Sequence, residues 1–236
     1  MNDEPCKLAP LALLRQQSWL SPAFPTGSYS YSHGIEWAVE EGQIHDCDSL
    51  VDWLEADLRY GSGRNEAIFF IEAWRCATED ECEKLLEVAE LAAAFRGTSE
   101  FALESSQQAT ACLATLRRVW PDRVVESFSE LLSRQSTPPA LAVILGARAA
   151  GERVPFGLAL PAFLQSYVAN LVIAAVRLIP LGQTDGQLAI AELEQAVLAT
   201  SAQVEQATIR DLGSAAFMVD LASASHETQY TRLFRS

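Results

Sequence analysis

The stretch EDECEKLLEVAELAAAFR, residues 79–96, indicates how this chain folds. Its apolar side chains, from Cys82 and Leu85 to Ala89 and Ala92, recur every three or four positions, and acidic side chains occupy the other side. This spacing is typical of an amphipathic α-helix with one buried face. We interpret the acidic side as a solvated face.

The helical pattern continues outward in both directions. No proline occurs between Pro25 and Pro121, and glycines interrupt this span where helices of ordinary length would end. No stretch shows the alternation of apolar and polar residues that is typical of a β-strand. We predict helices at residues 8–20, 32–41, 49–60, 64–77, 79–96, 99–119, 123–134, 139–150, 156–179, 185–204 and 208–224. The predicted fold class is all-α: one domain of about ten helices, residues 1–225, and a mobile C-terminal tail, residues 226–236.

The predicted helix at residues 156–179 is apolar nearly all round. The exception is a narrow polar stripe of Ser166, Asn170 and Arg177, spaced four and seven residues apart. A helix of this composition is expected at the centre of the array. Because an unpaired cation is costly in a core, we expect the stripe to face a satisfied polar seam. The polar residues argue against a membrane span.

Composition and charge exclude several partner classes. A net charge of -14 over 236 residues opposes attraction to phosphate backbones, so we expect no nucleic-acid partner. Five cysteines without a C-x-x-C pair indicate free thiols. The N-terminus has neither the basic nor the apolar region of a secretory signal, which predicts a cytoplasmic protein with no membrane association.

Catalytic and metal-binding motifs are missing. Neither Lys7 nor Lys84 follows a glycine-rich phosphate loop, and no G-x-S-x-G elbow is present. The histidines, His33, His45 and His226, are not paired at the spacing of a metal-binding helix. We predict no enzymatic activity, no cofactor and no metal site.

The segment SPAFPTGSYSYSHGIE, residues 21–36, combines turn-forming residues with two tyrosines, Tyr29 and Tyr31, whose rings are apolar and whose hydroxyl groups are polar. It could be a packed connector between two helices or a recognition loop. Gly34 is expected to let the following helix approach another backbone closely. The candidate residues of this signature loop are Pro25, Gly27, Ser28, Tyr29, Ser30, Gly34 and Glu36.

The segment HETQYTRLFRS, residues 226–236, is the strongest candidate for partner binding. In a helix, Tyr230, Leu233 and Phe234 would form one apolar patch. The segment is too short for an independent helix, so we expect it to stay mobile until a partner orders it. Docking onto the protein's own body is the alternative. The candidate residues are His226, Glu227, Gln229, Tyr230, Arg232, Leu233, Phe234 and Arg235.

Both segments, together with AVRLIPLGQTDGQ at residues 175–187, resemble the urease accessory protein F family (UreF). The resemblance implies an all-helical, dimer-forming chaperone without chemistry of its own. Such a protein bridges the UreD/UreH scaffold protein and the UreG GTPase while nickel is delivered to the urease apoprotein. The resemblance leaves open whether the protein also modulates GTP hydrolysis. Some members carry Gln or Phe where this chain has His33, which argues against a required ligand there.

Two other function classes remain open from the residues alone. One is an independent helical enzyme or metal-binding protein, and the other is a purely structural homodimer. Metal analysis and a GTP hydrolysis assay on the purified protein test the first class, and co-purification with the scaffold protein tests the second.

Overall fold

The computed structural model describes residues 10–236, which contain twelve α-helices and no strand. The predicted all-α class is confirmed. The helices are α1 Pro10–Leu20, α2 Ile35–Glu40, α3 Cys47–Tyr60, α4 Ser62–Thr78, α5 Cys82–Ala94, α6 Ser99–Val119, α7 Arg123–Gln135, α8 Leu141–Gly151, α9 Phe156–Val176, α10 Gln183–Glu192, α11 Glu194–Val204 and α12 Phe217–His226. Cys6, Lys7 and the start of the first predicted helix lie outside the described residues.

Several predicted helices have different bounds in the structure, and three of the differences concern where a helix begins or divides. The segment predicted as one helix at 185–204 is two helices, α10 and α11, which are separated at Leu193. The helix predicted at 208–224 begins only at Phe217, because the chain first makes a 3-10 turn and then a loop. Helix α2 begins at Ile35 because the two preceding residues have left-handed backbones, with φ of 58° at His33 and 80° at Gly34.

Helices α4 and α8 cross at the centre of the fold. All residues of α8 from Ala142 to Ala149 are buried. A Cβ atom on Gly146 would lie 2.2 Å from the carbonyl oxygen of Phe70 on α4, so only glycine allows this close crossing. The Phe70 ring also stacks on Phe163 of α9, with 4.8 Å between the ring centroids. The core is therefore organised around the α4 and α8 pair.

Helix α9 was expected at the centre of the array, and it packs against α1, α2, α3, α4, α8, α10 and α11. Only half of its apolar window is buried, and Leu158 and Ile173 are exposed. Within residues 10–236 it is the one helix long and apolar enough to cross a membrane. Its buried half places it among the packed helices of the core.

The polar residues of α9 were expected to face one satisfied polar seam. Ser166 donates a hydrogen bond to the carbonyl oxygen of Leu20 at 2.6 Å. Ser166 and Asn170 line the same cavity, whereas Arg177 is exposed just beyond the end of the helix.

A buried arginine fixes α8 to its neighbours. The guanidinium of Arg148 pairs with both Asp122 and Glu152 and lies 5.2 Å from the ring centroid of Trp19. Asp122 also caps α7, accepting a hydrogen bond from the backbone N–H of Val124 at 2.7 Å. Two carboxylates therefore compensate the almost fully buried Arg148, and one of them, Glu152, also pairs with Arg15.

Candidate partner-binding site

The C-terminal segment, residues 226–236, packs against the signature loop, residues 21–36. The backbone N–H of Arg235 donates to the carbonyl oxygen of Ser30 at 2.8 Å. The backbone N–H of Ser32 donates to the carbonyl oxygen of Ser236 at 2.6 Å. The two segments lie at opposite ends of the chain, and the fold brings them together as neighbouring strips of backbone.

Glu36, at the start of α2, anchors the C-terminal segment. Its Oε1 accepts a hydrogen bond from the backbone N–H of Leu233 at 2.6 Å, and its Oε2 accepts one from the N–H of Phe234 at 2.9 Å. The carboxylate is buried, so these bonds are made away from water. Hydrogen bonds from backbone N–H groups to a carboxylate are stronger than those between neutral groups. Glu36 therefore fixes the position of the segment.

His226 is completely buried at the end of α12. Its Nδ1 lies 2.7 Å from Oε2 of Glu100, and its Nε2 lies 3.1 Å from Oε2 of Glu36. Arg232 contacts the other oxygen of Glu100, with Nη1 2.7 Å from Oε1. Both ring nitrogens of His226 therefore lie within hydrogen-bond distance of a carboxylate oxygen. These contacts join α2, α6 and the C-terminal segment.

Two further side chains of the segment bind helix ends. Oε1 of Glu227 accepts hydrogen bonds from the hydroxyl of Ser99 at 2.7 Å and from its backbone N–H at 2.8 Å. The hydrogen bond from the Ser99 hydroxyl lowers the pKa of the Glu227 carboxyl most, and the bond from the backbone N–H lowers it further. Gln229 donates to Glu40. Glu227 thus acts as an additional cap of α6, whose own N-cap residue is Thr98.

Phe234 is the one buried aromatic residue of the segment. The guanidinium of Arg177 lies 4.4 Å from its ring centroid and also donates to the carbonyl oxygen of Tyr29 at 2.7 Å. A cation over a ring face is an attractive contact. Arg177 therefore joins the signature loop to the C-terminal segment from the outer side.

The C-terminal segment departs from the expectation of one apolar patch. After α12 it contains no helix and docks onto the protein's own body, which was the alternative interpretation. Tyr230 is fully exposed and Leu233 is 58% exposed, whereas Phe234 is 4% exposed. Because the chain is not helical here, residues four apart do not share a face. The three residues therefore face different surroundings.

Gly34 has the close contact that the sequence predicted. A Cβ atom there would lie 2.8 Å from the backbone nitrogen of Ser223 on α12, and its φ is 80°. An L-residue with a side chain would meet both a clash and an unfavourable backbone conformation. Elsewhere in the loop, Tyr31 is buried and donates to Gln107 at 2.5 Å, while Tyr29 is exposed.

His33 belongs to a second buried polar cluster beside the segment. Its Nδ1 lies 3.4 Å from Oε2 of Glu104, and that same oxygen accepts a hydrogen bond from the hydroxyl of Ser236 at 2.7 Å. Burial alone would lower the pKa of His33, but the hydrogen bond and charge of Glu104 raise it above 6.5. Burial likewise works against ionisation of Glu104, yet His33 lowers the pKa of that carboxyl. The two groups stabilise each other's charged forms.

Tyr167 connects this cluster to α3. Its hydroxyl donates to Oδ2 of Asp57 at 2.7 Å and lies 3.1 Å from Nε2 of His33. Oδ1 of Asp57 accepts a hydrogen bond from the backbone N–H of Ser62 at 2.8 Å at the start of α4. Burial raises the pKa of the Asp57 carboxyl and that of the Tyr167 hydroxyl. The contacts indicate a structural role for this cluster.

The described residues offer no metal centre. Within residues 10–236 no group of three or more His, Cys, Asp or Glu side chains has an arrangement that could hold a metal ion. His45 is exposed beside Asp46, with 3.4 Å between Nε2 and Oδ2. Burial raises the pKa of the thiols of Cys76, to about 11, and Cys112, to about 12.

An exposed apolar face on α12 escaped the sequence reasoning. Phe217 is 75% exposed, and Met218 and Leu221 are close to half exposed. Because residues three and four apart share a helix face, these side chains form one outward patch, which we call the α12 face. The inward side of α12 carries Val219, Ala222 and Ser223. The spacing of Phe217 and Met218 from Leu221, four and three residues, was visible in the sequence within the helix predicted at 208–224.

Comparison with known proteins decides the family. The UreF family model matches residues 44–194 of this chain. A urease accessory protein UreF of Bradyrhizobium diazoefficiens is 48% identical over 225 residues, which cover 95% of this chain and 92% of that protein. The chain belongs to the UreF family.

Other UreF proteins show the same relationship. Those of Rhodopseudomonas palustris and Brucella ovis are each 44% identical over 225 residues, which cover 95% of this chain and 94% of each relative. UreF proteins are urease accessory proteins and not enzymes. Membership supports an accessory role in urease maturation, and it confirms the resemblance drawn from the sequence.

Proposed function

We propose that this UreF-family protein is a cytoplasmic docking chaperone that works as a homodimer. It binds the UreD/UreH scaffold protein and the UreG GTPase and holds them beside the urease apoprotein while nickel, the cargo, is inserted. The observation that supports this proposal is the α12 face, Phe217, Met218 and Leu221, exposed beside a C-terminal segment that is fixed by buried hydrogen bonds.

The α12 face has the chemistry of a protein interface. Large apolar side chains that share one exposed patch mark interaction sites more often than scattered ones do. Tyr230 adds a fully exposed aromatic ring a few residues beyond the helix, and Leu233 adds a further exposed aliphatic side chain. Aromatic residues are enriched among those that contribute most to binding. We assign this surface to the scaffold protein.

The buried side of the same segment supports the proposal in another way. Glu36 and His226 hold the backbone that carries Tyr230 and Leu233. A surface that is ordered before it binds loses less conformational entropy on association. The docked segment therefore presents Tyr230 and Leu233 as a preorganised surface.

Capture of purified UreD/UreH scaffold protein tests the assignment. Leu221→Ala and Tyr230→Ala should each weaken capture by about 2 kcal/mol or more if they anchor the interface. Leu198→Ala on α11 is the matched control, because Leu198 is 51% exposed and Leu221 is 50% exposed. Equal capture by the Leu221, Tyr230 and Leu198 variants would show that the scaffold protein does not bind this surface.

Point variants are preferable to truncation. Removal of residues 226–236 would leave the buried carboxylates of Glu36 and Glu100 without His226 and Arg232, so loss of capture would include loss of folding. Circular dichroism of each point variant checks that the helices are intact.

The remaining parts of the proposal are tested separately. Light scattering should give a dimer, and a monomer at all accessible concentrations would contradict the homodimer. The protein alone should neither bind GTP at submicromolar affinity nor retain stoichiometric nickel after purification. Either activity in the isolated protein would favour the independent enzyme or metal-binding class. A dimer that captures neither the scaffold protein nor the GTPase would favour the purely structural homodimer.

A further inference from the structure

Arg96, in the turn between α5 and α6, has an unusual set of contacts. Its side chain is 12% exposed, and its Nη1 pairs with Glu66. Its Nε and Nη2 are buried and have no hydrogen-bond partner among the described residues. These two nitrogens share one edge of the planar guanidinium, which is the fork that matches two oxygens of a carboxylate.

Arg148 shows how the same protein compensates another buried arginine. Its Nη1 and Nη2 are paired with two carboxylates, those of Asp122 and Glu152, and only its Nε lacks a partner among the described residues. Arg96 has one carboxylate partner, Glu66. Because a buried donor without a partner is costly, the free edge of Arg96 points to an acceptor that the described chain does not supply.

A cavity of about 90 Å³ adjoins this edge. We call it the Arg96 pocket; its lining includes Arg96, His33, Ser105, Glu104, Phe101 and Phe163. The hydroxyl of Ser105 is also buried without a hydrogen-bond partner among the described residues, whereas Nδ1 of His33 faces Oε2 of Glu104 at 3.4 Å. A second cavity of about 370 Å³ shares Glu66, Arg96 and Phe101 with the first, so the two meet at Arg96.

The free groups in the Arg96 pocket are mainly donors. Both carboxylates of the lining already have partners: Glu66 pairs with Arg96, and Glu104 accepts from Gln108 at 3.1 Å and from Ser236. With His33 protonated, the two cations and two anions of the lining sum to zero. The unmatched groups can therefore be satisfied by a ligand that only accepts hydrogen bonds, and ionised carboxylates have this property.

We propose that the Arg96 pocket binds one small planar oxyanion of the carboxylate or bicarbonate class. Two oxygens of the ligand lie on Nε and Nη2 of Arg96, and the Ser105 hydroxyl donates a further hydrogen bond. A volume of about 90 Å³ corresponds to roughly three water molecules. It admits formate, acetate or bicarbonate.

Calorimetry of the full-length protein with sodium acetate and with sodium bicarbonate tests the site. Sodium chloride at equal ionic strength is the control, because chloride has no pair of oxygens to match the two parallel N–H groups of the fork. We expect saturable binding of at least one planar anion and none of chloride. Arg96→Lys keeps the charge and removes the fork, and it should weaken binding by about tenfold or more.

Ser105→Ala should weaken binding by about fivefold. Ser106→Ala is its matched control, because the Ser106 hydroxyl is already bonded to the carbonyl oxygen of Leu103 on the same helix. The proposal is overturned if the folded parent shows no saturable heat with either anion, which would indicate water alone in the pocket. Unchanged affinity in Ser105→Ala and Arg96→Lys would also overturn it. If Arg96→Lys does not fold, Ser105→Ala decides. The α12 face contributes nothing to this pocket, so failure here leaves the proposed function unaffected.

Discussion

The two sides of the C-terminal region differ in almost every physical property. On the inner side, His226 and Phe234 are buried, and the backbone N–H groups of Leu233 and Phe234 are bonded to Glu36. On the outer side, Phe217 and Tyr230 are exposed, and no element of residues 10–236 covers their apolar side chains. Substitutions on the inner side should therefore lower the stability of the fold, whereas those on the outer side should lower only binding.

The comparison shows how a short terminal segment can serve both purposes. The C-terminal segment is too short to form a stable helix in isolation. Backbone hydrogen bonds to Glu36 on α2 and side-chain contacts to Glu100 on α6 supply the missing order, and the exposed side chains are then free to meet a partner.

The largest expected effect on this comparison comes from His226→Ala. The change leaves Glu36 and Glu100 buried with fewer partners, so we expect the free energy of unfolding to fall by about 3–5 kcal/mol. Urea denaturation followed by circular dichroism measures it. His45→Ala, at an exposed histidine, is the control and should have no measurable effect. Equal stability of the two variants would mean that the inner side does not hold the fold.

Phe234→Ala and Leu233→Ala form the next test, because the two residues are neighbours on opposite sides. Phe234 is buried under Arg177, so its truncation should cost about 3 kcal/mol of unfolding free energy. Leu233 is 58% exposed, and its truncation should change stability by no more than about 0.5 kcal/mol. Thermal unfolding at one protein concentration compares them. A reversed order would show that the inner and outer assignments are wrong.

Glu36→Gln should have a smaller effect, about 2 kcal/mol. The amide keeps the size of the side chain but replaces one acceptor oxygen with a donor that faces a backbone N–H. Amide hydrogen exchange at Leu233 and Phe234 should become faster, while exchange in α8 stays slow. Unchanged exchange at both positions would contradict the anchoring role of Glu36.

The smallest expected effect is a pH dependence from His33 and Glu104. The folded-state pKa of His33 is raised, so its contribution is fully present below about pH 6.5 and is lost as the pH rises through the folded-state value. The pKa of Glu104 is lowered, so its contribution is present above about pH 4.5 and is lost as the pH falls through the folded-state value. The pair therefore stabilises the fold most between these two pH values.

His33→Asn tests this pH dependence, because asparagine tolerates the left-handed backbone at this position. The stability advantage of the parent over the variant should shrink as the pH rises above about 6.5. Chemical denaturation from pH 5 to 8 gives both profiles. Parallel profiles would show that the interaction with Glu104 contributes nothing to stability.

Local features of the fold were predictable from the sequence where they depend on near neighbours. The period of residues 79–96 predicted α5, and the structure has it at Cys82–Ala94 with Leu85, Ala89 and Ala92 buried. Helix bounds failed where backbone conformation changed within a continuous pattern, as at Leu193 between α10 and α11. The apolar composition of α9 did not reveal that one side of this helix is left uncovered.

The sequence by itself determined the helical class and the absence of a phosphate-loop motif, and its motifs identified the UreF family. These properties follow from residue type and from spacings of a few residues, which act before any tertiary contact forms. Only the tertiary structure decided that residues 21–36 and 226–236 meet, that His226 lies between Glu36 and Glu100, and that Arg96 keeps a free edge. Such contacts join residues far apart in the chain, so they depend on how the helices pack and not on any local pattern.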